Sequence, residues 1–151
     1  MDRDYVSYDM AVLLVIVQFV SLVLLALSAR ILPESYLSLV LYMASAVTGM
    51  FALQAMRRSK LRISPKVHPE AKLVTNGIYR FIRHPMYLSV ILMGAGMLVN
   101  QYTPLRIGIF MTLVTDLLIK MMYEERMLRK RFGDDYVEYK KHTKRLIPFV
   151  F

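Results

Sequence analysis

Two uncharged runs, residues 10–29 and 35–56, limit what this chain can fold into. Neither contains Asp, Glu, Lys or Arg, and Gln18 is the most polar member of the first. As a helix the first run is about 30 Å long, enough to cross a bilayer. Backbone in hydrocarbon must satisfy its own polar groups, so runs of this length dictate helices. The first has an acidic flank (Asp2, Asp4, Asp9) and a longer apolar core than a cleavable signal, so it reads as a membrane helix. A short turn containing Pro33 leads to the second run. There Ala44, Ser45, Ala46, Gly49 and Ala52 recur on one side, which suits close helix packing; the alternative is a face turned to lipid.

The remaining composition agrees. The chain is 56% hydrophobic with a mean hydropathy of +0.42, and its 151 residues suit one domain, 1–151. With no Cys there is no disulfide, thiol nucleophile or thiolate metal site. Three His, only one of them among other chemically capable side chains, argue against a metal centre. A net charge of +9 invites a nucleic-acid reading, but the charge flanks apolar segments on one side, as in an integral membrane protein.

Residues 86–101 form a third, shorter apolar segment, about 24 Å if helical. Residues 105–123 form a fourth, interrupted by Asp116 and Lys120. Eight Lys and Arg lie in residues 57–83 and nine in the tail from Lys120, against Arg30 and Arg106 at the opposite turns. This asymmetry predicts about four transmembrane helices with both termini and both polar clusters in the cytoplasm. The tail from Glu124 reads as an amphipathic helix, a break at Gly133 and a second short helix. The expected fold is all-α and multi-pass, with a cytoplasmic helical tail.

Residues 73–87 collect two Arg, one His and two Tyr just before the third apolar run. Pro85 suits the first position of a helix, where its missing N–H costs nothing, so His84 is expected at the N-cap. Free N–H groups there, with Arg83 beside them, suit a carboxylate or phosphate. Arg and Tyr also serve as interface anchors, and that reading stays open. Asp116, Lys120 and Glu124, four apart, share one face of the fourth segment. They form either a self-neutralising ladder or the lining of a site. Phe132, Tyr136 and Tyr139 read as a packing stripe, and His68 and His142 carry no assigned role.

The run from Leu73 to Leu88, with Glu124-Glu125-x-x-Leu128, Phe132-Gly133-x-x-Tyr136-x-x-Tyr139 and Pro148-Phe149, resembles the isoprenylcysteine carboxyl methyltransferase family and its phospholipid methyltransferase relatives. The resemblance implies S-adenosyl-L-methionine as cofactor, held at the cytosolic face by residues 71–151. It also implies a lipophilic or lipidated substrate entering from the bilayer. The membrane would be the plasma membrane in a prokaryote and the endoplasmic reticulum in a eukaryote. Ala71, Lys72, Leu73 and Val74 match the family's backbone contact to the cofactor. Tyr79, His84, Pro85, Met86 and Tyr87 match its second cofactor stretch, next to Arg83. Glu124, followed by Glu125, matches its acidic cofactor ligand. One turn earlier the family presents an arginine to the substrate carboxylate; here Lys120 keeps the charge without the bidentate fork.

Carboxyl O-methylation fits the sparse catalytic inventory, because a carboxylate is a nucleophile without a general base. Amine N-methylation of a phospholipid would need Glu124 or Glu125 as proton acceptor. An NADPH-dependent sterol-type reductase shares the Arg-His-Pro-x-Tyr pattern, and a non-catalytic membrane scaffold is the third reading.

Overall fold

The computed structural model describes residues 3–28, 32–57 and 73–147. They form five α-helices: α1 (Arg3–Leu27), α2 (Tyr36–Arg57), α3 (Pro85–Asn100), α4 (Pro104–Phe132) and α5 (Asp134–His142). A 3₁₀ turn spans Gly77–Arg80. Among the described residues there is no strand, only an isolated parallel bridge between Ile82 and Lys144. The all-α expectation holds. Two helices are long and apolar enough to cross a membrane, α1 over Met10–Leu27 and α2 over Tyr36–Arg57. Helix α3 is apolar but shorter, and α4 is one continuous helix of 29 residues carrying charges along its length.

Contacts divide the chain into two compact units. The first comprises Met1–Ala44 and Ile91–Met122. Its core is Leu14, Leu25, Leu113, Leu117 and Met121. Ser35 caps α2 by accepting a hydrogen bond from the Ser38 N–H (3.1 Å). The Asn100 amide, at the end of α3, donates to Leu32 O (2.9 Å) and accepts from Glu34 N (2.6 Å), tying down the turn before α2. Helix α4 starts at Pro104 after Thr103, whose hydroxyl accepts from Arg106 N (3.3 Å). Arg106, read from sequence only as a turn charge, is 2% exposed. Its guanidinium donates to Gln101 O (2.7 Å) and to Leu25 O (3.2 Å). It thereby joins Ser28 Oγ (3.2 Å) in donating to a carbonyl in the last turn of α1.

The second unit comprises Ser45–Val90 and Tyr123–Phe151. Here α2 and α3 meet through small residues. Ser45 Oγ donates to Ser89 O (2.7 Å), and Ser89 Oγ donates to Ser45 O (2.9 Å). A Cβ on Gly49 would stand 2.8 Å from Ser89 Oγ, so any larger residue would push that hydroxyl from its place against Ser45. Ser45 and Ala52 are buried on that face, whereas Ala46 points outward. Gly133 breaks α4 from α5 with φ +53°, a left-handed conformation that favours glycine. The break and the short helix after it fall where the sequence places them.

Candidate functional site

The site is built from the segment before α3, the C-terminal end of α4, α5 and the strap after it, all within the second unit. Helix α3 begins at Pro85, and the His84 carbonyl accepts from the N–H groups of Tyr87 and Leu88, both at 3.1 Å. The strap runs alongside the preceding segment. Arg83 N donates to Lys144 O (2.7 Å), His84 N to Arg145 O (3.0 Å), and Lys144 N to Phe81 O (3.1 Å). These bonds clamp the backbone that carries Arg83 and His84.

Glu124 and Glu125 are neighbours in sequence but face different partners, because successive helical residues differ by about 100°. Glu125 is 5% exposed. Arg83 Nε donates to its Oε1 (3.0 Å), Arg145 donates to both oxygens (3.2 Å each), and Lys140 Nζ reaches Oε2 (3.2 Å). His84 Nε2 lies 3.6 Å from Oε1. Burial alone would raise the Glu125 pKa, but the contacts with His84 and Arg145 and the charges of Arg83 and Lys140 outweigh it and hold the carboxyl well below the ordinary range. Arg83 is likewise committed: its Nη1 donates to Thr143 O, to Thr143 Oγ1 (3.3 Å) and to Lys140 O (3.3 Å).

Glu124 stands on the open side, its side chain 36% exposed. Tyr87 donates its hydroxyl to Glu124 Oε1. Glu124 Oε2 lies 3.9 Å from His84 Nδ1, beyond hydrogen-bond reach. The His84 and Tyr87 rings stack with centroids 5.5 Å apart and 14° between planes. Tyr79 is positioned from behind, because Tyr139 donates its hydroxyl to Tyr79 O (2.7 Å). Burial, with the Glu124 charge adding to it, pushes the Tyr79 phenol up to about 12, so it stays a neutral hydrogen-bonding group at physiological pH. Tyr136 is 1% exposed beneath the site, and burial pushes its phenol up as well.

The structure thus brings His84, Tyr87 and Glu124 into one contact set, with Tyr79 near enough to feel the Glu124 charge. It places Arg83 and Glu125 in an internal ion nest. Pro85 and Val74 are buried, and Leu73 and Met86 are half-buried. Ala71 and Lys72 lie outside the described residues. Lys120 belongs to the first unit, and its ammonium donates to Gln18 Oε1 (2.9 Å). Sequence reasoning missed Lys140, Thr143 and Arg145, which hold the nest, and Tyr139, which holds Tyr79. The Phe132/Tyr136/Tyr139 spacing hinted at the last of these.

The family model for phospholipid methyltransferases matches residues 33–135, well over half of the chain. A probable protein-S-isoprenylcysteine O-methyltransferase of Oryza sativa subsp. indica is 32% identical over 119 residues, covering 77% of this chain and 62% of that protein. Protein-S-isoprenylcysteine O-methyltransferase B of Arabidopsis thaliana is 35% identical over 80 residues, 52% of this chain and 41% of its own length. The Tribolium castaneum protein-S-isoprenylcysteine O-methyltransferase is 34% identical over 80 residues, 52% and 28% of the two chains. The chain therefore spans less than two thirds of the length of these relatives. The matched region contains Arg83, His84, Tyr87, Glu124 and Glu125, and on that match the chain belongs to the phospholipid methyltransferase family.

Proposed function

We propose that this protein is an S-adenosyl-L-methionine-dependent methyltransferase acting on a lipophilic substrate that reaches it from the bilayer, with carboxyl O-methylation as its reaction. One observation carries the reading. The two separated polar motifs, around His84 and around Glu124, join through the Tyr87–Glu124 hydrogen bond. The donor set suits the cofactor: Glu124 offers a part-exposed carboxylate oxygen to ammonium or hydroxyl donors, and half-buried Tyr79 and Tyr87, the latter stacked on the buried His84 ring, lie beside it. Bound S-adenosyl-L-methionine supplies an electrophilic sulfonium methyl. The protein then has to desolvate and align the acceptor carboxylate, a task for Lys120 and the apolar helices rather than for a general base. Isothermal titration of the protein in detergent should show saturable S-adenosylhomocysteine binding and none with NADPH. NADPH binding alone would favour a reductase, and binding of neither a scaffold.

Amine N-methylation is the second reading, and one observation favours Glu124 as its proton acceptor. Glu125 is locked in its ionised form by surrounding cations, while Glu124 is open.

The same proposal places four spans in the membrane, with α3 and α4 as the second hairpin and the site on the cytoplasmic face. The basic residues of 57–83 and of the tail motivate it. At 16 residues α3 is about 24 Å long as a helix, so the bilayer thins locally around it. The chain lacks Cys, so single cysteines report topology cleanly. Cysteines at Leu32 and Tyr102 should react with an impermeant maleimide from outside, and those at Glu138 and Lys141 only after permeabilisation. Outside labelling at Lys141 would overturn the topology.

A further inference from the structure

The aromatic stripe on α5 divides into two kinds of residue. Tyr136 is 1% exposed and its hydroxyl has no hydrogen-bond partner, so its ring fills space as phenylalanine would. Tyr139, one turn later, packs against the Tyr136 ring with centroids 6.1 Å apart. Its hydroxyl, however, leaves the stripe and donates to the Tyr79 carbonyl (2.7 Å), sixty residues away in sequence. Packing does not require that hydroxyl.

The two ends of this bond differ in how firmly they are held. At the donor end, Tyr139 O accepts from Thr143 Oγ1 (2.8 Å). The Lys140 and Thr143 carbonyls, at the C-terminal end of α5, accept from the Arg83 guanidinium, where a cation suits a helix end. Arg83 is itself bonded to Glu125 on α4 (3.0 Å), so α5 is tied to α4 through that nest. The acceptor end is the 3₁₀ turn Gly77–Arg80. It has four residues, none of them buried, and Asn76 gives it no side-chain cap. It starts at Gly77 with φ +59°. Its internal bonds are Tyr79 N to Asn76 O (3.2 Å) and Phe81 N to Ile78 O (3.1 Å). One short turn of this kind does not hold its own shape. Yet it carries Tyr79, whose phenol feels the charge of Glu124.

We infer that Tyr139 is a positioning residue for the methyl-transfer site: through the Tyr79 carbonyl it fixes the turn that presents Tyr79, and so keeps the cofactor site in its binding form. The inference rests on the methyl-transfer reading for the identity of the ligand, and not for the state of the turn. A site that holds its binding form only part of the time binds more weakly by that fraction.

The test measures S-adenosylhomocysteine titration and amide hydrogen exchange on the full chain in detergent. Tyr139→Phe keeps the ring and removes the bond. It should weaken binding about three- to tenfold, the scale of one hydrogen bond between neutral groups. Tyr136→Phe should leave affinity at the wild-type value. Tyr79→Ala removes what the bond positions, so adding Tyr139→Phe to it should cost nothing further. Exchange at the Tyr79, Phe81 and Ile82 amides should quicken in Tyr139→Phe while amides in the middle of α4 keep their rates. Wild-type affinity in Tyr139→Phe overturns the inference, as does an equal loss in Tyr136→Phe or an equal loss on the Tyr79→Ala background. Unchanged exchange in the turn overturns it too. If the wild type binds no S-adenosylhomocysteine, the methyl-transfer reading fails, and the exchange comparison alone decides whether Tyr139 holds the turn.

Discussion

Replacing Glu125 with leucine should lower the stability of the second unit by about 3–5 kcal/mol, the range for removing one partner of a buried ion cluster. The carboxylate is shared by Arg83, Arg145 and Lys140, with His84 against it. Leucine fills much of the space but leaves Arg83 buried without its counter-charge. Glu125→Gln keeps the shape and one acceptor oxygen, and should fall between. The damage should spread along the strap, because Arg145 is anchored both by Glu125 and by the bond from His84 N. Hydrogen exchange at the Arg83 and His84 amides should therefore accelerate. Their pKa relationship gives a second signature. The folded Glu125 carboxyl sits below its unfolded value of about 4.3, so in acid the unfolded chain binds the extra proton. The stability it contributes is complete above that pH and is lost as pH falls below it. Wild-type stability should drop on acidification through pH 5 to 3, and Glu125→Gln should lack that component. An unchanged unfolding midpoint in Glu125→Leu would sink the account.

Much of the framework was legible because its signals are local. Pro85 marks the start of α3, and Gly133 marks the break after α4, since each residue type is favoured by one backbone conformation. The small residues of α2 identified a packing face, though Ala46 among them is exposed. Long-range pairing was not legible. Both Glu124 and Glu125 stood as cofactor ligands by sequence, and nothing local says which of two adjacent carboxylates meets Arg145, twenty residues on. Arg83, read as a ligand-facing cation, is turned inward by the same nest. The bridge between Ile82 and Lys144 consists of backbone hydrogen bonds, which leave no side-chain signature. The spacing of Asp116, Lys120 and Glu124 put them on one helix face, but their bonds diverge: Asp116 accepts none, Lys120 reaches Gln18 and Glu124 meets Tyr87.

That divergence separates Lys120 from Glu124 in a kinetic experiment. Glu124→Gln should weaken S-adenosylhomocysteine binding by about 10- to 100-fold, the scale of a hydrogen bond to a charged group. Tyr87→Phe removes the hydroxyl that orients the same carboxylate, so its smaller loss should be non-additive with Glu124→Gln. Lys120→Met should behave differently if the ammonium receives an anionic acceptor. It should lower kcat/KM for a lipophilic carboxylate at least tenfold while cofactor affinity stays nearly intact. Lys120→Arg should be tolerated, because the guanidinium presents a fork to a carboxylate. The competing role is structural, since Lys120 also holds Gln18 of α1. Gln18→Leu isolates that contribution, because it removes the hydrogen bond and leaves the ammonium in place. If Gln18→Leu reproduces the Lys120→Met loss, with thermal stability falling in step, Lys120 supports the helices and does not meet substrate. If Gln18→Leu keeps turnover while Lys120→Met loses it at unchanged stability, the ammonium acts on the acceptor and the reaction is one on an anion.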